Sequence, residues 1–346
     1  MQPLRDRVAV VAGATRGAGR GIACMLGEAG ATVYCTGRST RGNSSDCNRP
    51  ETIEETAEMV TAHAGVGIWA QVDHSKPDQV KALFERVEKE QEGRLDILVN
   101  DMTGDRYVDW EKRLWNHSLE KALLALKNGV HSHIITSYYG AQLMVKRCQG
   151  LIVEVNDGNG LVYNGNFYYS FNKCSAVLMA CFLSRELQEY NIATVAITPG
   201  YLRSEAMLEH FGVTEENWRD AIEQDPIFED SETPYYVGRA VVALACDPKV
   251  MIKTGRALSS GWLAPDYGFT DVDGRQPPGY YPKEGVFTPR RGFELQAPGL
   301  SAAERLLREE LKAIARELGV PGVDRMRNIE LVEAIARIDP SRFEQG

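Results

Sequence analysis

Val8-Ala9-Val10-Val11-Ala12-Gly13-Ala14-Thr15-Arg16-Gly17-Ala18-Gly19-Arg20-Gly21 is an apolar run that breaks into glycines and leads directly into an amphipathic stretch, Ile22 to Ala29. The run is too uniformly apolar for a half-exposed strand, so it predicts a strand buried on both faces. Glycines between such a strand and a helix let the backbone approach a pyrophosphate, which then rests on the helix N-terminus. Gly13, Thr15, Arg16, Gly17, Ala18 and Gly19 are therefore candidate cofactor-binding residues.

The alternation continues outward from this unit. Strands are expected at 31–36, 66–72, 95–99, 151–155, 193–198 and 257–258, with helices at 51–63, 78–91, 134–146, 169–189 and 234–246. Strands alternating with helices predict an α/β fold, a Rossmann-type doubly wound parallel sheet. Where the second strand ends, dinucleotide folds use an acid to hold a ribose 2′-hydroxyl or an arginine to accommodate a 2′-phosphate. This chain has no acid there and offers Arg38 and Arg41, with Arg16 in the glycine loop. NADP(H) is the expected cofactor, because guanidinium groups suit phosphate.

The 346 residues suffice for one large domain plus an appendage. A net charge of −9 argues against nucleic acid as a partner. The seven cysteines are scattered and odd in number, as in reduced thiols rather than a disulfide framework or a zinc site. The N-terminus shows no leader pattern, and no apolar run reaches membrane-spanning length. A cytoplasmic protein with no membrane partner is the expectation.

A second informative stretch is Gly150 to Lys173, GLIVEVNDGNGLVYNGNFYYSFNK. Tyr169 and Lys173, four apart on a helix, share a face, and an ammonium beside a phenol lowers its pKa. A phenol so tuned can exchange protons near neutral pH. Tyr168 is four residues from no lysine and is off that face.

With glycine loop, Asp73, Asn100, YxxxK and Pro199-Gly200 in this order, residues of about 5 to 265 resemble the short-chain dehydrogenase/reductase family. The resemblance implies that Asp73 contacts adenine, that Asn100 is the first asparagine of the family's NNAG, and that Pro199, Gly200 and Ser204 match a motif touching the nicotinamide amide. It also implies Tyr169 as proton donor and Lys173 on the nicotinamide ribose. The family's further active-site asparagine has Asn128 as its best candidate, with His131 as a rival. Members pair through the helices at 134–146 and 169–189, which implies a homodimer or homotetramer. TSYYGAQLMVKRCQGLIV and the later DVDGR look like one branch of the family that carries an extended fold.

One departure stands out. The family's substrate-binding serine, twelve or thirteen residues before the tyrosine, falls on Asp157 or Asn156. Asn156 could donate to a developing oxyanion through its NH₂. Asp157 could do so only if protonated; ionised, it could hold a substrate hydroxyl or amine, or favour an iminium over a ketone. The expected activity is reduction of a carbonyl or imine in a mid-sized, partly apolar substrate. The alternative is a non-redox lyase or cyclase, or a degenerate binding protein, on the same fold.

The excursion Tyr201 to Asp220, with Tyr201, Met207, Leu208, Phe211 and Trp218, has the length and apolar character of a substrate lid. Domain 1–265 is expected to be followed by a Pro/Gly-rich extended linker at 266–300 and a small helical hairpin at 301–346. That tail is similar to helix-loop-helix modules of the SAP and Rho N-terminal type, but its eight Arg/Lys against nine Asp/Glu favour a structural or oligomeric role. No metal is expected: His131 and His133 diverge on a helix, and the loop from Asp271 has Pro282 where a calcium loop needs Glu.

Overall fold

In the computed structural model, residues 2–43, 49–158, 160–279, 308–326 and 328–339 are described. The strands in chain order are β1 (Val8–Ala12), β2 (Thr32–Gly37), β3 (Val66–Gln71), β4 (Ile97–Asn100), β5 (Gly150–Val155), β6 (Ile192–Thr198) and β7 (Ala257–Ser259). They form one sheet in the order β3-β2-β1-β4-β5-β6-β7, with every neighbouring pair parallel. The chain steps from β1 outward through β2 to β3, then returns to the other side of β1 as β4. The crevice beyond the C-terminal ends of β1 and β4 is therefore a topological switch point, where such sheets bind ligands.

The helices explain why β1 is apolar throughout. They are α1 (Gly17–Glu28), α2 (Ile53–Ala62), α3 (Pro77–Glu90), α4 (Leu119–Leu126), α5 (Ser132–Arg147), α6 (Phe167–Leu187), α7 (Glu205–Phe211), α8 (Pro234–Cys246) and α9 (Ser260–Tyr267). Ala9 and Val11 pack into a core with Ile22 and Leu26 of α1 and Val237 and Val241 of α8. Val8 and Val10, facing the opposite way, pack with Val80 and Phe84 of α3 and Leu143 and Met144 of α5. A strand covered on both faces reads as a continuous apolar run.

Two helices follow at the C-terminus, α10 (Arg308–Glu317) and α11 (Asn328–Ile338). Leu311 and Ala315 of the first and Leu331 and Ile335 of the second bury against one another as a separate small core. The expected boundary at residue 265 falls inside α9. Residues 266–279, expected to begin a linker, are packed against the domain: the buried Asp271 accepts hydrogen bonds from the Thr233 amide and hydroxyl. Tyr236 also donates to the Pro277 carbonyl at 3.2 Å. Residues 280–300 of that expected linker and 301–307 of the expected hairpin lie outside the described residues. No helix among the described residues is long and apolar enough to cross a membrane.

Candidate active site

The glycine loop is shaped by steric necessity. Gly13 has φ +91, and a Cβ there would lie 2.3 Å from the Asp101 carbonyl oxygen; one on Gly19 would lie 2.4 Å from the Gly13 oxygen. Only glycine permits this conformation and approach. The loop borders a cleft of 1380 Å³ along the C-terminal edge of the sheet, lined at one end by Gly13, Thr15, Arg16, Gly17, Ala18, Arg38 and Asp73. Asn128, Asn156, Asp157, Tyr169 and Lys173 line the other end, and Pro199, Gly200 and Ser204 a further wall.

Two expected site residues lie beneath this lining. Gly19 is buried, and its amide donates to Asp101 Oδ2 at 2.5 Å. Asn100 is fully buried; its Nδ2 donates to Ser137 Oγ at 2.8 Å and to Glu154 Oε1 at 2.9 Å, so it ties β4 to β5 and α5. Glu154 continues the network to His133 Nδ1 at 2.6 Å, and His133 Nε2 lies 2.8 Å from the Met102 carbonyl. Burial pulls the His133 imidazole down, but the Glu154 carboxylate outweighs it and holds the ring above its ordinary range. This buried group fixes the 101–102 segment that forms the cleft floor.

At the phosphate end, Arg16 Nε donates to Glu51 Oε2 at 3.1 Å, and its buried Nη2 has no partner among the described residues. An orphaned guanidinium nitrogen beside a glycine cradle suits a phosphate oxygen. Burial pushes the Asp73 carboxyl up, but Ser75, which donates through hydroxyl and amide, together with Arg38 and Lys76, holds it below its ordinary value. Arg41 pairs with Glu58 on α2 and is not in the lining. The Gly17 amide, at the mouth of α1, donates to Glu205 Oε2 at 2.8 Å. A carboxylate thus sits where a pyrophosphate would rest.

At the other end, the N-cap of α6 sets the geometry. Asn166 accepts from the amides of Tyr168 and Tyr169 at 2.9 and 3.3 Å, opening the helix so that Tyr169 faces the cleft. Tyr168 is buried, with its hydroxyl on the Leu114 carbonyl. The Tyr169 hydroxyl donates to Asp157 Oδ2. Asn156 instead turns its Nδ2 to the Gly158 carbonyl at 2.5 Å. Of the two candidates for the serine position, Asp157 is the one that meets the tyrosine.

Lys173 lies beside the Tyr169 ring and is also held by a carboxylate from the loop after β4. Its Nζ is 2.8 Å from Asp105 Oδ2 and 5.0 Å from the Tyr169 ring centroid, so it lies over the ring. Burial alone would pull the ammonium down; Asp105, followed by Asp157 and Asp101, more than offsets that and raises it. Asp101 is partly buried, and desolvation pushes its carboxyl up to about 7 against the opposing Gly19 amide and Lys173. Asn128 lies in a π-helical turn, Lys127–His131, whose extra residue carries it to the cleft wall; its Nδ2 donates to the Leu124 carbonyl at 2.8 Å.

Sequence reasoning missed Asp101, Asp105, Glu205, His133 and Glu154. Only Asp101, which follows Asn100 where the family's NNAG has its second asparagine, carried a local signal. Of the residues in this excursion, Met207 lines the cleft, Leu208, Phe211 and Trp218 pack into a small core with Phe228, and Tyr201 does both. Trp218 is wedged against Arg203, whose guanidinium carbon is 4.3 Å from its ring.

Residues 7–212 match the family model "short chain dehydrogenase". Dehydrogenase/reductase SDR family member 1 of Mus musculus is 35% identical over 292 residues, covering 81% of this chain and 87% of that protein. The Homo sapiens protein of the same name is 35% identical, covering 79% of this chain and 85% of its own. Among solved structures, a short chain dehydrogenase from Mycobacterium thermoresistibile shares the fold at TM-score 0.66 and 20% identity, covering 80% of this chain and 93% of that one. A variant actinorhodin polyketide ketoreductase solved with NADPH does so at 0.58 and 22%, covering 73% and 95%. Matched over more than half its length by the family model, and at 35% identity over about four fifths of it by a curated relative, the chain belongs to the short-chain dehydrogenase/reductase family of oxidoreductases.

Proposed function

We propose that this protein is an NADPH-dependent reductase acting on a carbonyl or imine of a mid-sized, partly apolar small molecule. The observation that carries this is one continuous cleft with the glycine loop, Arg16 and Arg38 at one end and Tyr169, Lys173 and Asp157 at the other. When bound, NADPH supplies hydride. Gly13, Gly17 and Ala18 would cradle its pyrophosphate, with Arg16 and Arg38 on the 2′-phosphate and Asp73 at the adenine. Asn100 supports this end from below. Pro199, Gly200 and Ser204 would border the nicotinamide, and Lys173 its ribose. Tyr169 holds the proton for the substrate, and Asp157 orients the reacting group.

Titrating NADPH and NADH by calorimetry tests the cofactor reading; absence of NADPH binding defeats it. Tyr169→Phe should lower turnover by about 100-fold or more, the size of a general acid's contribution. A second reading has a specific support: the Tyr169–Asp157 hydrogen bond is an acid–base pair that could act without hydride. NADPH absorbance that stays constant while substrate is consumed would favour such a lyase or cyclase.

For assembly, the reading is a homodimer or homotetramer. Its support is the exposure of Ile134 and Tyr138 on α5 and Phe182 on α6. Tyr138→Glu with Phe182→Glu should then yield monomers in sedimentation. The tail from 308 has a core of its own and suits a structural or oligomeric part. The described cysteines are unpaired, consistent with a reducing, cytoplasmic setting.

A further inference from the structure

The reacting end of the cleft accumulates hydrogen-bond acceptors. An ionised carboxylate only accepts, and Asp157 takes the hydrogen of Tyr169 with one oxygen while the other remains for a ligand. The ammonium that could neutralise it, Lys173, is 2.8 Å from Asp105. A second cation in the lining, Arg106, stacks over the Tyr107 ring at 5.2 Å. Lys173 therefore faces two carboxylates, Asp105 and Asp157, with Asp101 a third in the same lining. Asn156 adds an independent sign: it is only 5% exposed, it lines the cleft, and its Oδ1 has no donor among the described residues.

A ketone fits this end poorly. It presents another acceptor, and the oxygen gains negative charge beside Asp157 as hydride arrives, which the carboxylate opposes. A protonated imine presents the reverse: an N–H donor and a positive charge. Building on the reductase reading above, we infer that the substrate's reacting group is a protonated carbon–nitrogen double bond, held through its N–H by Asp157. The proton is on the nitrogen before hydride transfer, supplied by Tyr169 where the imine enters neutral, and the step then balances. A reduced nicotinamide gives hydride to the imine carbon, the C=N π pair becomes the nitrogen lone pair, and a neutral amine and an oxidised nicotinamide result. Asp157 also keeps the nitrogen protonated before the step, because a nearby negative charge favours the cationic form.

The test uses the full chain and matched bicyclic probes. NADP⁺ is titrated first by calorimetry. With NADP⁺ saturating, 1,2,3,4-tetrahydroisoquinoline, an ammonium, is compared with isochroman, its neutral oxygen counterpart. The amine should bind at least about tenfold more tightly, and Asp157→Asn should bring the two within about threefold. With NADPH, 3,4-dihydroisoquinoline should be reduced faster than 1-tetralone, and Asp157→Ser should reverse that order. Should Asp157→Asn not fold, Asp157→Ser serves the same binding comparison. Equal binding of the two probes by the wild type, no amine binding, or a preference surviving loss of the carboxylate would overturn the inference. Failure of NADP⁺ itself to bind would instead remove the reductase reading on which it rests.

Discussion

Lys173 Nζ lies 2.8 Å from Asp105 Oδ2, an ion pair that ties the lysine beside Tyr169 to the loop after β4. The carboxylate raises the ammonium against the effect of burial, and its negative charge opposes the field that the lysine places on the phenol. Asp105→Asn should therefore leave a stronger positive field at Tyr169 and shift the alkaline limb of the turnover profile to lower pH, by up to about one unit. An unmoved limb in the pH profile of kcat would show that Asp105 does not screen the pair.

Glu205 occupies the anion position at the start of α1, with Oε2 on the Gly17 amide and Oε1 3.7 Å from Arg20. A pyrophosphate arriving there must displace a carboxylate. Glu205→Gln removes the competing charge and should tighten NADPH binding by about tenfold. Calorimetry against the wild type reads this directly, and weaker binding by the variant would contradict the competition.

Arg38 borders the cleft beside Asp73 at the end of β2, where a 2′-phosphate would distinguish the two nicotinamide cofactors. Arg38→Ala should weaken NADPH by about 10- to 100-fold, the range of a hydrogen bond to a charged group, while NADH changes little. Equal losses for both cofactors would mean that Arg38 serves the loop and not the phosphate.

Beneath Gly200, the fully buried Glu232 accepts from the Gly200 amide at 2.9 Å and from Ser260 Oγ at 2.6 Å. Burial, opposed by those two bonds, pushes its carboxyl up to about 8. The folded chain then holds a proton that the unfolded chain releases near its ordinary value. Stability from this group is complete below that ordinary value and is lost as pH rises through about 8. Glu232→Gln should abolish that loss and raise the melting temperature at pH 9 by roughly 5 °C relative to wild type. Calorimetric scans between pH 6 and 9 check it.

Much of this was legible in the residues themselves. The uniform apolarity of Val8 to Ala12, the glycines after it and the alternation beyond it specify a parallel sheet covered on both faces, because strand burial and turn chemistry are set by sequence neighbours. Tyr169 and Lys173 share a face for the same local reason. What only the tertiary structure decided are contacts between distant segments. Asp157 rather than Asn156 meets Tyr169, Asp105 takes Lys173 from 68 residues away, and Glu205 reaches Gly17 across 188. Asn100 is tied to Glu154 and Ser137, and Trp218 packs in a small core with Phe228. A side chain's type and its place on an element follow from local sequence. Which donor meets which acceptor in a shared cleft depends on how strands β1, β4, β5 and β6 bring their following loops together, and no local pattern encodes that.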